Sequence, residues 1–264
     1  MSEMIKVVIL AIVQGVTEFL PISSSGHLVL TKEILNLKAP PASLEIFLHA
    51  GTLISLVVFY FHRLLALTTG ALRGDRASWR YILFLIIAIL PAIIAYLLFG
   101  KFIKSTFESP ITVTMLLCVT GVILLLPELL RRGGSVQPLT WWRSVLVGIA
   151  QAVALLPGIS RSGSTITMAR LCRIEPVQAA EFSFLMSLPL IIAAIAEDLL
   201  TSLKSDASYA ISTTSILVGV AVSAIVGYIS LIFLVKLLQR QKFWVFGIYC
   251  LVVGACATLF LVFN

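Results

Sequence analysis

Two serine-rich interruptions of apolar sequence, at residues 21–27 and 157–165, constrain this chain more than any other feature. They are copies of one another. Gln14, Val16, Ile22, Ser23, Ser25 and Gly26 recur 137 positions later as Gln151, Val153, Ile159, Ser160, Ser162 and Gly163. Each interruption sets Pro, Gly and hydroxyl side chains inside a longer apolar region, 5–35 in one case and 144–172 in the other. A break of this kind frees backbone N–H and C=O groups. Lipid offers them no partner, so the break must be buried among other helices or line a cavity. Each region therefore reads as a re-entrant pair of short helices.

That the surrounding solvent is lipid follows from composition. Apolar residues make up 59% of the 264, charged ones 12%, and the mean hydropathy is +1.08. A soluble domain carries roughly a quarter charged residues. The net charge of +7 could indicate nucleic acid, but the basic residues fall in short loops between apolar stretches. Orientation in a bilayer accounts for them, and no nucleic-acid partner is expected. The N-terminal stretch has no small-residue cleavage site and carries Gln14 and Glu18, so it does not read as a signal peptide. Cys118, Cys172, Cys250 and Cys256 have neither CxxC spacing nor nearby histidines, so they read as small hydrophobes.

Six further stretches, 43–62, 81–99, 111–130, 178–200, 214–236 and 244–262, are each near the ~20 apolar residues that a span requires. The expected architecture is an all-α polytopic membrane protein, a single transmembrane domain over 1–264. It would comprise a first repeat (1–135) and a second (136–264), each one re-entrant pair plus three spans. Three crossings per half invert the halves relative to each other. Glu45 in the first half has a near counterpart in Glu181. The basic residues fit this topology. Arg63, Arg73, Arg76, Arg80, Arg131, Arg132, Arg143, Arg170, Arg173, Lys236, Arg240 and Lys242 fall on one side, expected to be cytoplasmic. Only Lys6, Lys32, Lys38, Lys101, Lys104 and Lys204 fall on the other. All four tryptophans lie at the basic ends. The two re-entrant tips then enter from opposite faces and meet near mid-membrane.

Chemistry concentrates at those tips. Glu18 and Arg161 lie in apolar regions, where an ionisable group costs at least about 2.5–3.5 kcal/mol. They can join the repeats as an ion pair, but buried pairs often fail to offset their desolvation, which favours a functional reading. Gln14 and Glu18, four apart on one helical face, suit a divalent cation that keeps several waters; they can equally hydrogen-bond a histidine. A helix restarting near Ser24 would point unpaired N–H groups at a phosphate. Ser24 and His27 are one turn apart, and Glu18 across the break is expected to orient the imidazole, completing nucleophile, base and orienting acid. In the second break, Arg161 can grip phosphate oxygens bidentately, with Ser160, Ser162 and Thr165 supplying hydroxyls. Glu45, His49 and Glu181 form a second tier: Glu45 and His49 share a helical face and can line the cavity, while both glutamates can instead sit at helix N-termini. His62 reads as interfacial.

Gln14-x-x-x-Glu18-Phe19-Leu20-Pro21-Ile22-Ser23-Ser24-Ser25-Gly26-His27 resembles the first signature of the bacitracin-resistance family of undecaprenyl-diphosphate phosphatases. Pro157-Gly158-x-Ser160-Arg161-Ser162-Gly163-x-Thr165 is similar to the second, and Glu181-Phe182-Ser183-Phe184 also matches. The resemblance covers essentially the whole chain; Gln14 stands where the family has Glu or Gln. It implies hydrolysis of the terminal phosphate of a C55 polyprenyl diphosphate at the outer face of a bacterial plasma membrane, with a divalent cation, Mg²⁺ or Ca²⁺. That reaction recycles the lipid carrier of cell-wall glycan synthesis and lowers sensitivity to bacitracin. The functional set it implies is Gln14, Glu18, Ser23, Ser24, His27, Ser160, Arg161 and Thr165. The expected partners are the lipid substrate and the bilayer, with a homodimer an open option.

Ser24, His27 and an activated water all remain open as the attacking group. Type 2 phosphatidic acid phosphatases share the Ser-Ser-Ser-Gly-His echo, but they need a downstream histidine, and none follows His62. A polyprenyl-phosphate transporter or flippase would use Arg161 and the helix ends equally well. It has no evident need of Ser24 beside His27 and Glu18.

Overall fold

The computed structural model describes residues 2–35, 42–130, 135–204 and 212–263. Lys38, Arg131 and Arg132, counted above for topology, lie outside them. The described residues form eleven α-helices. α1 (Glu3–Phe19) and α2 (Ser24–Ile34) make the first broken pair, and α7 (Trp141–Val153) and α8 (Arg161–Leu171) the second. Between and after them run α3 (Ala42–Phe59), α4 (Phe61–Leu72), α5 (Arg76–Thr106) and α6 (Pro110–Leu129), then α9 (Pro176–Lys204), α10 (Thr213–Gln239) and α11 (Trp244–Phe263). Five of these helices are long and apolar enough to cross a membrane, or six if α3 and α4 count as one bent span. The chain is an all-α polytopic membrane protein.

Both helix restarts fall where the hydroxyl residues predict. Ser23 caps α2, its Oγ accepting from the Gly26 amide at 3.3 Å; Ser160 caps α8, its Oγ accepting from the Gly163 amide at 3.1 Å. Each cap satisfies an N–H that the first turn leaves without an intrahelical partner. The expected span 43–62 is the main departure. The chain turns through 67° at Tyr60 and continues as α4 instead of entering a loop. Backbone bonding runs through the bend, Tyr60 N to Leu56 O at 3.0 Å and Leu64 N to Tyr60 O at 2.8 Å. With twelve residues, α4 is too short to span. It buries Leu67 and exposes Phe61, Leu65, Thr68 and Leu72.

Packing is related across the two halves. α1 packs on α10 as α7 packs on α5; α3 packs on α10 as α9 packs on α5; α3 meets α9 and α6 meets α11. Small residues bring these backbones together. A Cβ on Gly51 would lie 2.6 Å from the Val220 carbonyl, and one on Gly148 2.4 Å from the Ala88 carbonyl. Such contacts are how helices associate where lipid gives no hydrophobic drive. The core contains Phe19, Leu56, Leu124, Ile166, Phe184 and Leu231, whereas Leu83, Ile86, Leu90, Leu97 and Leu98 of α5 face outward. Large apolar side chains on the outside, with polar groups within, are the inverse of a water-facing protein.

The close crossings predict a stability hierarchy. Gly51→Ala and Gly148→Ala force backbone apart and should each cost about 1–3 kcal/mol. Gly100→Ala, whose Cβ would approach nothing nearer than the Tyr96 ring at 3.8 Å, should be neutral or slightly stabilising. Thermal unfolding in detergent, followed by tryptophan fluorescence, checks the order.

Candidate active site

The two breaks meet. Ser25 Oγ accepts a hydrogen bond from the Gly158 amide at 3.2 Å, and Ser162 Oγ reaches the Leu20 carbonyl at 3.5 Å. Gly158 has φ +94°, and a Cβ there would lie 2.2 Å from the Val113 carbonyl, so α6 closes on the second break only because this residue is glycine. Thr120 of α6 fastens that break from beneath. Its hydroxyl donates to the Gly158 carbonyl at 2.8 Å and accepts from the Ser160 amide at 2.9 Å. One threonine thus satisfies two backbone groups freed by the interruption.

Glu18, 8% exposed, is the centre of the assembled site. Its Oε1 accepts from Arg161 Nη2 at 2.9 Å. Its Oε2 accepts from Ser24 Oγ at 2.7 Å and Gln14 Nε2 at 3.1 Å, while His49 Nε2 stands 3.8 Å away. His49 Nδ1 donates to the Glu45 carbonyl at 2.8 Å, so its Nε2 is left to face the carboxylate. A cavity of about 290 Å³ opens beside this group. Thr17, Glu18, Ser23, Ser24, His49 and Arg161 give it a polar wall, and Phe107, Leu190, Ile191 and Ile195 an apolar one. Buried atoms without hydrogen-bond partners include Gln14 Oε1 and Arg161 Nη1, an acceptor and a donor side by side with the ion pair.

Several expectations change against this geometry. Glu18 does not orient His27: its carboxylate holds the Ser24 hydroxyl directly. The His27 imidazole turns the other way, donating from Nδ1 to the Ser23 carbonyl at 2.9 Å and meeting the Tyr249 hydroxyl through Nε2 at 2.9 Å. The two rings stack within 8° of parallel. Because a carbonyl can only accept, Nδ1 carries the proton and the Tyr249 hydroxyl donates to Nε2. Tyr249 carries no signal in the sequence, since it sits in an apolar span far from either motif. Ser162 and Thr165 stand beneath the cavity and do not line it. Thr165 Oγ1 lies 2.8 Å from the Arg161 carbonyl and 2.6 Å from Ser183 Oγ, bracing the first turn of α8. Ser23 and Ser160 do line the cavity, but their hydroxyls serve as helix caps.

The second tier divides. His49 lines the cavity and Glu45 pairs with Lys32, in the first turn of α3. Glu181 lies elsewhere, taking Arg63 Nε at 2.8 Å and the Tyr81 hydroxyl at 3.1 Å. Among the described residues, no three His, Cys, Asp or Glu side chains converge as a metal site.

The ion pair makes a prediction about stability. Arg161→Met strands a buried carboxylate and should lower stability by about 3–5 kcal/mol. Adding Glu18→Gln to it should recover most of that loss without restoring activity. Chemical or thermal unfolding of the single and double variants measures the non-additivity.

Comparison with known proteins identifies the family. Residues 7–256 match the family model described as bacitracin resistance protein BacA. The chain is similar to the undecaprenyl-diphosphatase of Rhodopirellula baltica, 39% identical with 98% of each chain covered. It is also similar to those of Halothermothrix orenii, 37% identical over 96% of each, and Desulforudis audaxviator, 36% over 94%. The match spans both breaks and the helices that hold them together, and the chain belongs to the BacA bacitracin-resistance family.

Proposed function

We propose that this chain removes the terminal phosphate of undecaprenyl diphosphate, leaving the lipid monophosphate and inorganic phosphate. The observation that carries the reading is the Ser24 hydroxyl held 2.7 Å from Glu18 in a cavity that Arg161 shares. An oxygen nucleophile, a carboxylate able to take its proton and a guanidinium with a free Nη1 are the groups phosphoryl transfer needs. In the reaction, Ser24 Oγ attacks the terminal phosphorus and its proton passes to Glu18. The bond to the bridging oxygen breaks and the lipid monophosphate departs. Water then cleaves the phosphoserine, releasing phosphate. Arg161 stabilises charge on the transferring oxygens, and the amides at the start of α8 face the same anion. Glu18 replaces His27 as the base at Ser24, because the carboxylate holds that hydroxyl directly while the imidazole is engaged by Ser23 and Tyr249.

Gln14 and Glu18 would hold a divalent cation, Mg²⁺ or Ca²⁺. The unpartnered Gln14 Oε1 and the adjacent carboxylate fit a hard ion completed by waters and diphosphate oxygens, not one caged by protein alone. Such an ion would neutralise charge on the phosphoryl oxygens. The halves 1–135 and 136–264 are read as inverted repeats, from their shared motif, their exchangeable packing and three crossings each when α3 and α4 count as one bent span. With the basic ends cytoplasmic, the cavity opens toward the outer face of the bacterial plasma membrane, where recycling the carrier would oppose bacitracin.

Phosphate release from detergent-solubilised undecaprenyl diphosphate tests the reading. Wild type should release phosphate, and EDTA should suppress the release. Ser24→Ala and Arg161→Ala should each lose on the order of 100-fold or more in kcat. Full activity in either variant would sink the proposed chemistry.

A further inference from the structure

We propose that Gln151 is a further substrate-binding residue, its side-chain amide donating to a phosphate oxygen of the lipid head group. Gln151 lies on α7, is 1% exposed and lines the same cavity as Glu18, Ser24 and Arg161. Neither its Nε2 nor its Oε1 has a hydrogen-bond partner. A buried amide with both ends unmatched is costly, and folded proteins rarely retain one without a ligand or water to complete it.

The duplicated motif explains why this amide is unmatched. Gln14 and Gln151 occupy equivalent positions. Gln14 meets Glu18 four residues on, on the same face of α1. The position four residues after Gln151 is Leu155, which offers no acceptor. The first amide is consumed in holding the carboxylate; the second keeps its N–H₂ free beside the cavity. Arg161, at the start of α8, approaches from the other side of the break. A phosphate between them would receive donors from both limbs of the second re-entrant pair. An Arg and an amide binding one anion from two helices also fix its orientation, which one guanidinium alone does not. The inference rests on the phosphatase reading but concerns binding, so it is measurable apart from turnover.

The test uses Gln151→Met, which keeps length and volume, and Gln151→Glu, which keeps shape but removes the donor. Each purified variant is assayed for phosphate release and for thermal stabilisation by undecaprenyl monophosphate, in parallel with inorganic phosphate. If the amide binds substrate, KM should rise about tenfold or more while kcat changes little. Stabilisation by the monophosphate should weaken in parallel. The unliganded Gln151→Met variant should melt at or above the wild-type temperature, because an unsatisfied amide has been removed. An unchanged KM, or unchanged stabilisation by the lipid, overturns the proposal. So does an unliganded Tm lowered in both variants, which would assign the amide a structural partner such as a buried water. Wild type that binds the monophosphate but releases no phosphate would instead overturn the phosphatase reading, leaving the binding role of Gln151 intact.

Discussion

Everything in this fold depends on a backbone problem created at Pro21 and Pro157. Interrupting a helix inside a bilayer leaves N–H and C=O groups that lipid cannot satisfy. Here each break is satisfied largely by the other and by α6. Ser25 takes the Gly158 amide, Ser162 reaches the Leu20 carbonyl, and Thr120 serves both sides of the second break. The serines in the motif are thus structural before they are chemical. Most cap helices or tie the breaks together, and Ser24 stands apart because its hydroxyl goes to a carboxylate. The polar interior needed to close the backbone is the same interior that can host a charged head group.

That closure also explains the buried charge. Glu18 and Arg161 belong to different breaks, so their pairing exists only when the two tips are together. An unpaired charge at either tip would be strongly unfavourable in this surrounding, which couples correct assembly of the halves to formation of the site. Packing is close in the main core, while the pair itself borders the cavity. Leu56, Phe184, Leu124 and Ile166 are all fully buried in that core, whereas α5 and α11 present most of their side chains outward.

Much of this was legible from sequence because the informative residues are anomalies against an apolar background. Glu18, Arg161 and the duplicated serines stand out by their mere presence, and helix restarts at Ser24 and Arg161 follow from hydroxyl capping. What could not be read was direction. Glu18 and His27 are separated by the break, so helical spacing does not relate them, and the imidazole turns to Tyr249 instead. Tyr249 lies in a long apolar helix whose register against the breaks is set by tertiary packing alone. The α3–α4 bend escaped notice for a similar reason. Tyr60 has no Pro or Gly beside it, and backbone hydrogen bonds continue through the turn. Ser162 and Thr165 match a motif perfectly well, yet α8 points them into its own support.

The asymmetry between the copies is the physical basis of the proposed anion site. If Leu155 were a glutamate, as its counterpart Glu18 is, Gln151 would be tied to it as Gln14 is to Glu18. Arg161 would then face two carboxylates, and the Gln151 amide would no longer be free for phosphate. Keeping the carboxylate in one copy and the guanidinium in the other leaves a neutral pair with spare donors on one side and a spare acceptor, Gln14 Oε1, on the other. A diphosphate entering this neutral site brings negative charge that Arg161 cannot balance alone. That imbalance is the physical ground for placing the proposed divalent cation on the Gln14–Glu18 side and the phosphate on the Gln151–Arg161 side. Divergence at two equivalent pairs, Glu18 with Leu155 and Ser24 with Arg161, is what sets the proposed binding site apart from a self-satisfied helix break.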